Sequence, residues 1–528
     1  MSSGTEPETI SGTYVGTLVD GIAPGLDMLI FKMSGAPITT QSGAVDRGIW
    51  AGMSGSPLYA EDGRLVGAIS YGLSAAPSEY AGVTPAAAMY HLRSYEQPPP
   101  KVVPLTKRLT QRLQRHGVSP QQSSGGMARL RMPLNVTASG PLSRVERLAK
   151  RTGHGGVALR RAGGVGAEGA ADIPIRAGGN LADSIAYGDL TMGSIGTATA
   201  VCGTEVIGFG HPDSFTGKTS LAMHGADAVY IEKDVLGSFK VANFGTPQGT
   251  ITQDRLAGIL GTVGALPSTT RVTVSATSPY NVHTGTTHNS MDDYLSMVAA
   301  TQVMVDADVA NDRMGEGRAQ LSWTVRLQRH NGTTFTYQRS NVFSDREDLT
   351  GTMPTELASD IDTILGNRFA HVRINAVKVT ADSTPEFESY RVSRLDYRSH
   401  GSWTTATDGS VVTRAPGQRL RVRVTLAPKA ASSGTVHRFT ETVRVPSDGT
   451  TRAVLKVRGH LQPWWTYRTG MRGATSLPQL LKTMSSAPHN DTVSVTLAGK
   501  GGGTGVTRDH TAPSTVSGSA SLHVRIAR

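Results

Sequence analysis

The chain has 528 residues, 61 of them glycine, with only 5% aromatic residues and a formal net charge of +11. A single cysteine, Cys202, excludes an intramolecular disulfide framework, and the absence of CxxC and HExxH patterns leaves no call for a metal or other cofactor. No apolar run is long enough to cross a bilayer as a helix, and the start, Met1-Ser2-Ser3-Gly4-Thr5-Glu6, lacks the basic region and apolar core of a signal peptide.

Length suggests roughly three or four domains. Abundant glycine and short Val/Thr/Ile alternations predict a mainly β chain with many turns. The first chemistry-bearing stretch is Gly52-Met53-Ser54-Gly55-Ser56-Pro57, followed by Leu58-Tyr59, a Glu61-Asp62-Gly63 turn and Leu65-Val66-Gly67-Ala68-Ile69. Gly52 and Gly55 free the backbone around Ser54 to turn amides inward and a hydroxyl outward, the arrangement that acyl-transfer chemistry needs. An ordinary surface turn is the alternative, since Ser, Gly and Pro form turns readily. The nucleophile elbow of α/β-hydrolases ends in glycine and runs into a helix. Here Ser56 takes that place, and Pro57 disfavours helix before it. The pattern reads strand, turn, strand, which suits a β-barrel protease arrangement.

Residues 96–152 read as a basic linker. Eleven Lys or Arg residues lie between Lys101 and Arg151 against one acidic residue, Glu146, after Pro98-Pro99-Pro100. Short helices are expected at Lys107–Arg115 and Leu142–Arg151. Without interleaved aromatics, nucleic acid is not the expected partner. A solvated connector is favoured, with contact to an acidic partner or an anionic membrane surface as the other reading.

Residues 153–300 carry strand-like Gly193–Val201, then Gly208-Phe209-Gly210-His211-Pro212. Cys202, just before this, is expected to be a buried apolar residue. After about Pro267 the pattern stays β-rich, with a strand at Arg271–Val274, and residues 301–380 read as a β-rich connecting region with a strand at Ser322–Leu327 and a helix at Leu357–Phe369. Residues 381–528 read as an immunoglobulin-like sandwich, with strands at Arg419–Leu426, Phe439–Val445 and Ala453–Val457 and a closing helix at Leu477–Met484. No nucleophile–base pair stands out in that last part.

The serine motif, with Asp62-Gly63-Arg64-Leu65-Val66-Gly67-Ala68 behind it, resembles the serine motif of SpoIVB-type peptidases, which are chymotrypsin-like serine endopeptidases. The run from Gly193 through His211-Pro212 is similar to that family's histidine segment. Ala242-Asn243-Phe244-Gly245-Thr246-Pro247-Gln248-Gly249, continuing through Asp254-Arg255-Leu256-Ala257-Gly258, is similar to the segment downstream of it. The matches fall within residues 10–95 and 175–265.

The resemblance implies a chymotrypsin-like double β-barrel assembled from two chain segments, the serine-bearing half (1–95) preceding the histidine-bearing half (153–300). Ser54 would be nucleophile, His211 general base, and the Gly52 and Ser54 amides the oxyanion donors. His154 and His224, also beside glycines, are rival turn histidines. The family's aspartate position, after Leu29-Ile30-Phe31-Lys32, reads Met33-Ser34-Gly35 here. Asp46, Asp27 or Asp213 would have to substitute, or the third member is absent. The expected function is a serine endopeptidase acting on a protein or peptide, including self-cleavage in the linker. The alternatives are a catalytically inactive, peptide-binding protease fold and a structural cell-envelope protein. Relatives act outside the cytoplasm, so the resemblance suggests an extracytoplasmic location.

Overall fold

Strand is the dominant element of the protein in this computed structural model, which describes residues 3–74, 76–92, 102–130, 133–161, 163, 172–234, 237–461, 473–499 and 505–527. The chain divides into two units, residues 1–271 with 286–298, and residues 272–285 with 299–528.

In the first unit, the leading strands are β1 (Ser11–Ala23), β2 (Leu26–Ser34), β3 (Pro57–Tyr59), β4 (Leu65–Leu73) and β5 (Tyr80–Pro85). They form one antiparallel sheet in the order β1-β2-β5-β4, with β3 also on β4. The apolar run of β4 is buried on both faces from Gly67 onward, as expected for a strand walled in by its neighbours.

Two further strands complete this sheet, β6 (Val102–Val103) and β7 (Met127–Arg129), with β7 paired to β4 and β6 outside it. Both come from the segment expected to be a solvated connector, and that expectation is corrected. Helices at Lys107–Arg115 and Pro120–Ser124 lie between them. Leu109 and Leu113, four residues apart on one helical face, are buried with Val103, Val118 and Met127 in the core that contains Met28, Ile30 and Tyr71. The basic residues Lys107, Arg108, Arg112 and Arg115 stay exposed. Pro98–Pro100 and Lys101 lie outside the described residues.

The next strands are β8 (Leu134–Val136), β9 (Leu159–Arg161), β10 (Asn180–Gly188), β11 (Met192–Cys202), β12 (Glu205–Gly208), β13 (Gly217–Glu232), β14 (Phe239–Arg255) and β15 (Gly258–Val263). Antiparallel pairing runs β10-β13-β14-β15-β12-β11 and returns from β11 to β10, so six strands close a ring. The other helix expected in the basic segment, Leu142–Arg151, matches its expected bounds. Cys202 is exposed, contrary to expectation. It ends β11 at a two-residue hairpin, paired with Glu205 around Gly203 (φ +61°), where side chains leave the ring.

In the second unit, strands Thr334–Asp345, Gly317–Arg329 and Val372–Thr384 pair antiparallel in that order, and the expected helix spans Thr355–Leu365. Two five-stranded sheets follow. One contains Ser389–Ser399 and Arg419–Pro428, the other Arg452–Gly459, Thr492–Gly499 and Ser519–Ile526. They share one apolar core, including Leu395 and Val424 from one sheet and Leu455, Val495 and Leu522 from the other. The helix expected at Leu477–Met484 spans Leu477–Ser485.

Candidate active site

Ser54 sits in the loop between β2 and β3, at a turn that only glycine can flank. Gly52 has φ +104° and Gly55 φ +94°, in the region that side chains rarely adopt. The loop is pinned to the six-stranded ring. Thr197 donates its amide to the Ser54 carbonyl (2.8 Å) and its hydroxyl to the Gly52 carbonyl (3.1 Å). The Thr199 hydroxyl donates to the Gly55 carbonyl (2.8 Å), and Ala51 and Ser238/Lys240 exchange backbone bonds.

His211 reaches the same point from the ring. After β12, Phe209 (φ +69°) and Gly210 (φ +67°) turn the chain abruptly. The Gly210 carbonyl is then held by the Thr84 hydroxyl of β5 at 2.6 Å. His211 Nε2 and Ser54 Oγ are 2.7 Å apart. His211 Nδ1 lies 2.7 Å from the Pro212 carbonyl. A carbonyl only accepts, so Nδ1 carries the proton and Nε2 presents its lone pair to the serine hydroxyl. This is the tautomer a general base requires.

The amides of the nucleophile loop divide into two sets. Gly55 N donates to the Ile69 carbonyl and Met53 N to that of Trp50, whereas among the described residues Gly52 N and Ser54 N donate to no carbonyl. Two such donors, one on Ser54 itself and one two residues before it, match an oxyanion hole in kind.

Among the described residues, no carboxylate is hydrogen-bonded to the base. Asp27 accepts from Asp20 N (2.9 Å), Asp46 faces Arg47 and Lys233, and Asp213 accepts from the hydroxyls of Ser194 and Ser214, each at 3.0 Å. Burial, aided by the Arg129 guanidinium, holds the imidazole pKa down to about 3, against the upward pull of the Pro212 and Leu130 carbonyls. Ser54 is 0% and His211 1% exposed, so the pair is covered. A cavity of about 220 Å³ beside His211 is lined by Arg129, Ser194, Asp213 and Tyr294, among others.

Two residues that sequence reasoning did not single out support this site. Asp254 accepts the amides of Asp213 (2.9 Å), Ser214 (2.9 Å) and Thr216 (3.1 Å), holding the loop that presents Pro212. Burial and the nearby Asp213 push its pKa up to about 6, against those amides. Lys240, buried in β14, donates to the Gly52 carbonyl (2.8 Å) and to Asn180 Oδ1 (2.7 Å), and burial lowers its pKa to about 7. Alternation along β14, which buries Lys240, Ala242 and Phe244 in turn, was the available signal.

Lys240→Met keeps the length and removes both bonds. The expected result is a folded protein whose Ser54 reacts with a fluorophosphonate about 10-fold to 100-fold more slowly, since loop displacements of an ångström cost that much. Unchanged labelling would separate Lys240 from the loop's geometry.

The rival histidines are placed differently. The His154 ring lies 4.2 Å from that of Tyr294. His224 Nε2 meets Ser184 Oγ at 2.8 Å, but Ser184 lies within a strand paired on both sides, so that hydroxyl has no free amides beside it. The second unit also holds a serine–histidine contact, His460 Nε2 to Ser494 Oγ at 2.8 Å, beside the larger concavity of about 1030 Å³. There the serine donates to Asp509 (2.5 Å), so the imidazole is the donor and not the base. Among known proteins, no family model, no curated protein and no solved structure matches this chain.

Proposed function

We propose that the protein is a serine endopeptidase of the SpoIVB type, with a chymotrypsin-like double β-barrel in which the serine-bearing half leads. The observation that carries this reading is the 2.7 Å Ser54–His211 contact between side chains 157 positions apart, with the imidazole in the accepting tautomer. The closed six-strand ring beside the serine-bearing sheet is consistent with it. Chain order is no obstacle, because such sites are defined by geometry.

In the reaction, Ser54 Oγ attacks the scissile carbonyl as its proton moves to His211 Nε2. The Gly52 and Ser54 amides stabilise the oxyanion, His211 returns the proton to the departing amine, and water hydrolyses the acyl-enzyme. The Pro212 carbonyl does the orienting that a carboxylate does elsewhere, without its charge. A turnover lowered by about 10⁴ follows from losing such a carboxylate. The exposed basic face of the Lys107–Arg115 helix is a contact surface for an acidic partner or anionic membrane. The two C-terminal sheets are read as an immunoglobulin-like binding or scaffold domain.

Covalent labelling by a fluorophosphonate, lost in Ser54→Ala, is the expected result. A second reading, an inactive peptide-binding fold, is favoured by the low His211 pKa and the missing carboxylate partner. Folded protein that never labels would overturn the peptidase reading in favour of a peptide-binding or structural one.

A further inference from the structure

The segment that packs beside the dyad is itself arranged as a peptide in a protease groove. β7 lies antiparallel to β4 in the register Tyr71↔Arg129, Gly72↔Ala128 and Leu73↔Met127. Beyond the strand, Leu130 N donates to the Ser70 carbonyl at 3.0 Å. The Leu130 carbonyl lies beside the His211 ring, where it favours the protonated form, and the Arg129 guanidinium acts on both His211 and Asp213. The Leu130 side chain packs into the apolar cluster of Ile49, Trp50, Met53 and Ile69, the loop residues around the nucleophile. It does so over Gly72, where an added Cβ would lie 3.2 Å from Leu130 Cδ2 and 3.7 Å from Ile49 Cγ2. Gly72 has no positive φ to satisfy, so the room it leaves is room for that side chain.

Backbone pairing to a strand edge, one side chain in a pocket and its carbonyl at the base are the features by which an extended peptide is read. We infer that the site takes extended polypeptide antiparallel to β4 and cleaves on the carbonyl side of a leucine-like residue, with the chain's own Leu130 as its first substrate. The inference rests on the serine-peptidase reading above. Ser54 Oγ bonds to the Leu130 carbonyl carbon while its proton passes to His211. The carbon–nitrogen bond to the next residue breaks, and that nitrogen takes the proton. Water then releases a new carboxylate at Leu130 and restores Ser54, so one peptide bond is exchanged for one water.

Three measurements on the full-length protein test it. Mass spectrometry of incubated protein should find a fragment ending at Leu130, absent from Ser54→Ala. The probe acetyl-Met-Ala-Arg-Leu-p-nitroanilide should be hydrolysed at least 10-fold faster than its alanine counterpart, since each methylene in an apolar pocket discriminates by about 10-fold or more. Gly72→Val, checked for folding by circular dichroism, should erase that preference. Gly72→Ala is the milder variant should valine not fold, with a smaller change in the same direction. Fluorophosphonate labelling with cleavage at other bonds and no leucine preference overturns the assignment and leaves the peptidase reading intact. An absence of both labelling and cleavage overturns the peptidase reading itself.

Discussion

Gly55→Ala is expected to abolish fluorophosphonate labelling and to destabilise the first unit by about 3 kcal/mol or more. The Cβ would stand 2.0 Å from the Thr197 carbonyl oxygen and 2.5 Å from the Phe209 nitrogen. Both neighbours are backbone, and both are committed. Thr197 lies in β11 and bonds the Ser54 carbonyl, and Phe209 N donates back to Thr197. Neither atom can yield without moving the serine loop off the ring, which separates Ser54 from His211. Gly63→Ala is the control. Gly63 also has a positive φ (+81°), but its Cβ would meet nothing within 4 Å, so only the conformational term of about 1 kcal/mol applies. Thermal unfolding and labelling of both variants separate clash from backbone preference. Equal, small losses would mean that the two halves are not held in contact at Gly55.

The parts of the site written in side chains were legible in the sequence, and the parts written in backbone were not. Ser54 stood out because glycines bracket it, and His211 because a strand-like run ends in Gly-His-Pro. The third member was sought among Asp27, Asp46 and Asp213, but the atom on His211 Nδ1 is the Pro212 carbonyl, which no residue letter encodes. Asp254 acts on amides of a neighbouring loop, so its role appears only once β14 is folded against that loop. In the basic segment, charge masked the i, i+4 pair Leu109 and Leu113, which decides that the helix packs. The helix Leu295–Asn311 escaped notice for the opposite reason. Its buried residues include Val298, Ala299, Ala300, Thr301 and Gln302 in succession, leaving no apolar stripe for a period of 3.6 to reveal.

The labelling rate of Ser54 should stay within about twofold between pH 7.5 and pH 5, where an imidazole of ordinary pKa near 6.5 would lose about 30-fold. The sign follows from the depressed His211 pKa. Burial and Arg129 disfavour the imidazolium, so the ring stays neutral until the pH approaches about 3. Unfolded, it would bind its proton near pH 6.5, so folding excludes a proton between those values. The stability that this neutral ring contributes is lost as pH falls from about 6.5 toward 3, by about 1.4 kcal/mol per pH unit. His224, lowered to about 4, acts in the same direction. Asp254 opposes both. Raised to about 6, it binds its proton in the folded state first, so its contribution is lost as pH rises from about 3.8 through 6. Global unfolding therefore mixes the terms, whereas the His211 ring resonance, followed by NMR against His211→Gln, isolates one. Arg129→Gln removes the positive charge that disfavours the imidazolium and should move the titration upward, while burial keeps it below 6.5. A wild-type midpoint near 6.5, by labelling or by NMR, would mean that His211 is solvated and that the Arg129–Leu130 segment does not cover it.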